Sequence, residues 1–141
     1  MKPPFEVLEL DHVVLRVRDI NASQEFYERI LGCPLVRVLK DLGLYQFRVG
    51  RHLVDLVPIG TRLGGSTEPI AKARNMDHFC LIIEPFDSAA LLEYLQNNQV
   101  KIVAETGIRY GAEGYGPSLY ISDPDGHTIE LKGAGGTDHP E

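Results

Sequence analysis

Residues 10–17 read LDHVVLRV and residues 76–83 read MDHFCLII. Each stretch places Asp-His before an apolar run that has the length of a buried β-strand. One histidine at the head of such a strand is most simply a structural residue that hydrogen-bonds to a backbone group. Because the histidine returns 66 residues later, as His12 and then His78, the chain is predicted to contain an internal repeat.

Two helix signals recur at the same spacing of 66 residues. NASQEFYERILG begins at Asn21, which is suited to capping the start of a helix, and ends at Gly32, which is suited to the left-handed conformation after one. DSAALLEYLQNN runs in the same way from Asp87 to Asn98. We therefore predict helices at residues 21–31 and 87–98.

A second block of the repeat follows the helices, at a spacing of 75 residues. GLYQFRVGRHLVDL (43–56) aligns without a gap on SLYISDPDGHTIEL (118–131). The larger spacing is explained by a glycine-rich stretch, TGIRYGAEGYG (106–116), which the first half lacks and which we predict to be a long loop. The matched pairs include Tyr45 with Tyr120, His52 with His127, and Asp55 with Glu130.

These patterns predict an α+β fold in a single domain of residues 1–141, built from two tandem βαβββ modules. Module one covers residues 8–58 and module two covers residues 76–132. Residues 59–75 are a linker rich in Gly, Thr and Pro, and residues 133–141 are a flexible tail without an apolar anchor. The predicted strands are 8–17, 34–39, 43–49, 51–58, 76–84, 100–104, 117–122 and 127–132.

Composition excludes several classes of function. The net charge of −6 and the pI near 5.3, with scattered Lys and Arg, argue against a nucleic-acid partner. The N-terminal MKPPFEVLEL does not resemble a signal peptide, and no apolar run has bilayer length. Cys33 and Cys80 show no metal-type or disulfide-type spacing. We expect a cytoplasmic protein with reduced thiols, which binds neither nucleic acid nor membrane.

Side chains alternate between the two faces of a strand, so sequence parity predicts which groups share a face. The apolar residues of each strand turn toward the helices. His12, His78, Asp55 and Glu130 then share the opposite, helix-free faces of two equivalent sheets. His52 and His127 have the other parity and are interpreted as structural or solvent-exposed, and His139 is excluded because it lies in the tail.

Two imidazoles and two carboxylates suit a divalent metal ion such as Ni, Co, Mn, Fe or Zn, with coordination positions left for water or substrate. The alternative for Asp55 and Glu130 is a solvated sheet face, where an acidic side chain needs no ligand. The two histidines at equivalent positions of the repeat favour the metal site.

With these motifs in place, the chain resembles the vicinal oxygen chelate superfamily, which includes glyoxalase I, fosfomycin-resistance thiol transferases, extradiol dioxygenases, methylmalonyl-CoA epimerase and bleomycin-resistance proteins. The resemblance covers residues 8–132 and rests on LDHVVLRV, FYERILG, MDHFCLII and LYISDPDGHTIEL. It implies the vicinal oxygen chelate (glyoxalase) fold, in which the two modules form a cupped mixed sheet. Within the superfamily, the sequence looks most like uncharacterised glyoxalase-like members.

The resemblance also implies a metal held by His12, His78 and Glu130. Glyoxalase and epimerase branches add a fourth ligand, usually Glu or Gln, at the position of Asp55. Because Asp is one methylene shorter, Asp55 is either a direct ligand, a ligand through water, or absent from a three-ligand site.

The chemistry implied by the resemblance is chelation of two adjacent oxygens of a small substrate, followed by proton transfer of the lyase or isomerase type. Glu130 is then the candidate catalytic base. The alternatives are a metal-dependent thiol transferase, an extradiol dioxygenase, and a non-enzymatic protein of the bleomycin-resistance type that sequesters a ligand. The resembling families also imply a homodimer, with the site formed within one chain or across two.

Substrate-binding candidates come from parity and from the glycine-rich stretch. Arg16 and Lys132 share a face with the site residues, although a solvated cation at a strand edge is the simpler interpretation of each. The long loop contributes Arg109, Tyr110 and Tyr115, and is either a lid over the site or a tolerated insertion.

Overall fold

Each half of the repeat folds as a strand, a helix and three further strands in the computed structural model, which describes residues 6–66 and 76–140. The chain divides into two units, Met1–Pro69 and Ile70–Glu141. Within the described residues, each unit contains one four-stranded mixed sheet. The prediction of an α+β fold made of two βαβββ modules is therefore confirmed.

The first unit contains β1 (His12–Val17), α1 (Ile20–Gln24), β2 (Leu35–Leu39), β3 (Leu44–Val49) and β4 (His52–Pro58). Its sheet has the order β1-β4-β3-β2, in which β1 pairs with β4 in parallel and the other neighbours are antiparallel. The helix α1 continues directly into a π-helical segment, Glu25–Ile30, after which Leu31 N–H donates to the Phe26 carbonyl.

The second unit contains β5 (Phe79–Ile83), α2 (Ser88–Asn97), β6 (Lys101–Gly111), β7 (Gly114–Ser122) and β8 (Thr128–Gly133). Its sheet repeats the topology of the first in the order β5-β8-β7-β6, with β5 parallel to β8. None of the described helices is long and apolar enough to cross a membrane.

The helix boundaries agree with the sequence in part. Asp87 caps α2 as predicted, by accepting a hydrogen bond from Ala90 N–H. The capping residue of α1 is Asp19 rather than Asn21, because the Asp19 carboxylate reaches the N–H groups of both Asn21 and Ala22. Gly32 has the predicted positive φ of 74°. After α2, Gln99 takes that conformation instead of Asn98.

The helix-facing side of each sheet is apolar and buried, as the alternation predicts. In the first unit Tyr27 lies between two other aromatic rings, edge-on to Phe26 and tilted against Phe47. Tyr27 and Phe47 are both fully buried. Burial of this apolar area is the main stabilising contribution of each core. The buried apolar residues of the second unit are Leu95, Val100, Leu119, Ile121, Ile129 and Leu131.

The glycine-rich stretch 106–116 is a β-hairpin and not a loop. β6 and β7 continue pairing to its end, where Tyr110 faces Tyr115 and Gly111 faces Gly114. The glycines mark close approaches and not flexibility: a Cβ on Gly111 would lie 2.9 Å from Lys132 Cε. The prediction of a long loop at this stretch is therefore wrong.

The expected flexible tail is attached to this hairpin. Tyr115 N–H donates to the Thr137 carbonyl and Thr137 N–H donates to the Tyr115 carbonyl, so the anchor consists of backbone groups and not of an apolar side chain. The linker is also partly structured: residues 59–66 fold back on the first unit, where Leu63 N–H donates to the Leu42 carbonyl. The rest of the linker, 67–75, lies outside the described residues.

Candidate metal and substrate site

His78 stands immediately before β5 and is held by its neighbour in the sequence. Its Nδ1 lies 2.6 Å from Asp77 Oδ2. An ionised carboxylate can only accept, so Nδ1 carries a hydrogen, and in the neutral imidazole Nε2 is then the nitrogen with the free lone pair. This Nε2 lies 3.4 Å from Glu130 Oε1. A carboxylate on one ring nitrogen and a free lone pair on the other is the usual arrangement of a metal-binding histidine.

Glu130 lies on β8, directly opposite Tyr120 of β7. It is only 6% exposed. Tyr120 hydrogen-bonds to Glu130, and its ring meets His78 edge-on at 5.0 Å. Partial burial, then the charge of Glu130, raises the pKa of the Tyr120 hydroxyl, which therefore stays protonated and donates. Within the described residues, the second oxygen of Glu130, Oε2, is buried without a hydrogen-bond partner.

Arg109 supports Tyr120 from the hairpin. Its guanidinium carbon lies 4.7 Å from the centre of the Tyr120 ring. Nη1 donates to the Ser118 carbonyl and side chain, and Nη2 donates to the Glu105 carbonyl. Arg109 is thus engaged with the protein itself.

The first unit repeats the arrangement with His12 and Asp55. His12 Nδ1 lies 2.6 Å from Asp11 Oδ1. That hydrogen bond raises the pKa of His12, burial lowers it, and the charge of Asp55 raises it further. Asp55 is 3% exposed, and both of its oxygens accept from Gln46 Nε2 at 3.2 Å. Burial of Asp55 and Glu130 contradicts the alternative of a solvated sheet face.

The strand pairing corrects the alignment of the repeat. Asp55 pairs with Gln46, whereas Glu130 pairs with Tyr120. The paired positions are nine residues apart in the first unit (Gln46 and Asp55) and ten residues apart in the second (Tyr120 and Glu130), so Gln46 and not Tyr45 is equivalent to Tyr120. In each unit, the side chain paired with the carboxylate on the neighbouring strand donates to it.

Three comparisons place this geometry among known proteins. A family model described as the Glyoxalase/Bleomycin resistance protein/Dioxygenase superfamily matches residues 9–131. The chain belongs to this superfamily. It is 30% identical over 128 residues to "Virulence protein STM3117" of Salmonella typhimurium. The matched region covers 86% of this chain and 81% of that protein.

The chain is also similar to a second curated protein and to a solved structure. The mitochondrial methylmalonyl-CoA epimerase of Bos taurus is 26% identical over 145 residues, covering 94% of this chain and 78% of the epimerase. A solved structure from the mobile metagenome of V. Pseudocholerae, VPC_CASS1, has a TM-score of 0.71 and 32% identity, covering 92% of this chain and 97% of that one.

Members of the glyoxalase superfamily commonly use a divalent metal, and the donor types in each unit are ones that such an ion takes. Each unit supplies one imidazole oriented by an aspartate and one buried carboxylate, and Glu130 Oε2 lacks a partner. Two donors are fewer than a transition ion takes from protein. Residues 6–66 and 76–140 contain no group of three or more His, Cys, Asp or Glu arranged to hold an ion.

The other predicted site residues have different environments. Arg16 Nε donates to the Gly64 carbonyl at 2.8 Å. Tyr110 is 70% exposed and meets Tyr115 edge-on at the end of the hairpin. Lys132 is 1% exposed, and its Nζ has no hydrogen-bond partner among the described residues. The expectation that Lys132 is a solvated cation is therefore wrong.

The remaining histidines of the strand ends differ from the site histidines. His127 is structural, as expected: its Nδ1 lies 2.7 Å from Asp123 Oδ2, and its N–H donates to Asp123 Oδ1. His52 Nε2 lies 4.0 Å from Glu9 Oε2.

Sequence reasoning missed the residues that orient the donors. Asp11 and Asp77 were visible in the sequence, since the repeated dipeptide is Asp-His and not histidine alone. Gln46 and Tyr120 gave no such signal, because the ungapped alignment matched Tyr120 with the wrong residue. Arg109 was identified by its place in the glycine-rich stretch, but its contact with Tyr120 was not predicted.

Proposed function

We propose that this protein is a metal-dependent enzyme of the glyoxalase-like type that catalyses proton transfer on a small oxygenated substrate. His12, Asp55, His78 and Glu130 are the proposed protein ligands of a divalent ion (Ni, Co, Mn, Fe or Zn). The observation that supports this most is the second pair of donors: His78 Nε2 faces Glu130, whose other oxygen is buried without a partner.

The proposed chemistry places the reacting proton on Glu130. When bound, the divalent ion would polarise adjacent substrate oxygens and stabilise negative charge on them. Glu130 takes the proton from the carbon beside the polarised oxygen and returns it to a neighbouring carbon or to the opposite face. Tyr120 donates a hydrogen bond to Glu130, and thereby holds the carboxylate in place. Asp77 orients His78.

The superfamily supports an enzyme of this class without specifying its reaction. The methylmalonyl-CoA epimerase among the relatives is, by its name, an isomerase. We extend that reaction type to this chain, and we propose a homodimer, as is common among superfamily members.

The first test is the metal content of protein purified without chelators and then reconstituted with each candidate ion. We expect about one equivalent per chain, since a folded set of imidazole and carboxylate ligands binds transition ions tightly. A content below roughly a tenth of an equivalent with every ion would contradict the proposal. It would favour a protein that only sequesters a ligand.

The second test compares Glu130→Gln with Asp55→Asn at saturating metal. Glu130→Gln keeps one coordinating oxygen but removes the basicity, so turnover should fall roughly 10²-fold or more while much of the metal is retained. Asp55→Asn should weaken metal binding more than it lowers turnover. The readouts are metal content and turnover on a panel of α-oxygenated substrates. If Asp55→Asn abolishes turnover and Glu130→Gln does not, the roles of the two carboxylates are exchanged.

A further inference from the structure

Lys132 is a buried cation for which the described residues provide no hydrogen-bond partner. Its side chain is 1% exposed, and Nζ is buried. An ammonium group without a partner is costly to bury, because it loses its hydration and gains nothing in exchange. A bound ligand that supplies the missing hydrogen-bond partner would explain why such a group is retained.

A second buried polar atom without a partner, Glu130 Oε2, belongs to a residue two positions away on the same strand. Lys132 Nζ and Glu130 Oε2 are the buried side-chain nitrogen and oxygen atoms of the described residues that lack a hydrogen-bond partner. Residues two apart on a strand share a face, and their Cα atoms are roughly 7 Å apart. A buried ammonium group and a buried carboxylate with one unpartnered oxygen therefore share one face of β8.

The hairpin is shaped around the Lys132 side chain. A Cβ on Gly116 would lie 3.1 Å from Nζ, in addition to the conflict between Gly111 and Cε. Any larger residue at these two positions would have to displace the lysine. The neighbouring cation, Arg109, is already bonded to Ser118 and Glu105. Lys132 is therefore the better-placed cation for a ligand.

We infer that Lys132 is the binding residue for a carboxylate of the substrate, which is then a small acid bearing oxygen on the carbon next to its carboxylate. The part of this inference that concerns the metal-chelating oxygens of the substrate rests on the proposed function. The oxygenated carbon faces Glu130, and the carboxylate forms a charge-assisted hydrogen bond with the ammonium group. A 2-hydroxy or 2-oxo acid has both features within a few atoms.

The test measures calorimetric binding of lactate and of lactamide, its uncharged analogue, to metal-loaded protein. The parent should prefer lactate by about tenfold or more. Lys132→Met keeps most of the side-chain length and removes the charge, so this preference should disappear while lactamide affinity and metal content are unchanged. Lys132→Arg should retain part of the preference. If Lys132→Met keeps the preference for lactate, the inference is wrong.

Metal-free protein separates this inference from the proposed function. Acetate should raise the melting temperature of the metal-free parent but not that of Lys132→Met, since a ligand stabilises the state that binds it. If acetate does so and no metal binds, the anion site stands and the proposed function fails. If metal binds but lactate and lactamide bind equally, the proposed function stands and the anion site fails.

Three further measurements on the parent protein test the role of Lys132. If Lys132→Met does not fold, competition by acetate against lactate on the parent decides: acetate should compete, and its failure would overturn the inference. Inorganic phosphate that competes more strongly than acetate would overturn the assignment to a carboxylate. Borohydride treatment in the presence of pyruvate should leave the mass of the protein unchanged. A stable adduct on Lys132 would show a covalent imine instead.

Discussion

At the residue scale, a neighbouring aspartate orients each histidine of the proposed metal site. His78 has its Nδ1 fixed by Asp77, and His12 has its Nδ1 fixed by Asp11. Removing the aspartate frees the ring to rotate and to exchange its tautomer, without removing a ligand. Asp77→Ala should therefore lower metal affinity roughly 10–100-fold. Competition with a chromophoric chelator measures this, with Glu93→Ala, an exposed carboxylate on α2, as the control. Parental affinity in Asp77→Ala would contradict the orienting role.

Cys80 reports the charges around it at the same scale. Burial of the thiol, then the charge of Glu130, raises the pKa of Cys80 to about 11. In a metal-free Cys33→Ala background, alkylation by iodoacetamide should therefore be slow at neutral pH and should rise up to about pH 11. Glu130→Gln removes a negative charge that disfavours the thiolate, so the profile should move to lower pH. Glu93→Gln should leave it unchanged. If the alkylation rate of the parent rises with a midpoint at the pH of an ordinary exposed thiol, Cys80 does not lie in the charged environment described.

Among the elements, the β6–β7 hairpin carries the contacts that the sequence did not predict. Gly114 has a φ of 107°, and a Cβ there would lie 2.6 Å from the Thr137 carbonyl oxygen. Gly114→Ala should destabilise the protein by more than the roughly 1–2 kcal/mol of backbone strain alone, because it also displaces the tail. Gly126→Ala is the matched control, since Gly126 has a φ of 84° and open space around it.

Two measurements separate strain from displacement of the tail. Urea denaturation gives the free energy of unfolding of both variants. Hydrogen exchange of the Thr137 and Tyr115 amides should quicken in Gly114→Ala but not in Gly126→Ala. Equal losses of stability, with both amides still protected, would mean that the contact between tail and hairpin contributes nothing.

Strand alternation made much of the element-level structure predictable, and turn geometry limited the rest. Parity correctly placed His78 with Glu130, because an apolar strand with one buried face has a single consistent register. The hairpin was missed because its glycines are typical of loops, whereas here they accommodate Lys132 and Thr137. Gln46 was missed because the paired positions of the second unit are one residue further apart, which shifts one strand against the repeat.

For the whole molecule, the proposed homodimer can be tested together with the origin of the proposed metal ligands. Light scattering at micromolar concentration should give twice the chain mass, and a monomeric mass would contradict the dimer. His12→Ala and Glu130→Gln should each lose activity. If one active site draws on two chains, co-refolding the two variants restores one intact site per mixed dimer. If each site uses a single chain, the mixture stays inactive. Parent co-refolded with each variant is the control.

All the pairings of each described sheet join strands from one uninterrupted stretch, β1 to β4 or β5 to β8. Each stretch also encodes its own Asp-His dipeptide and its own buried carboxylate. A gene half this length would already specify a complete sheet with an oriented imidazole and an acid mounted on it. Copying that gene once within its reading frame doubles the donor set without inventing a strand. Afterwards each copy is free to diverge, as Asp55 and Gln46 have from Glu130 and Tyr120.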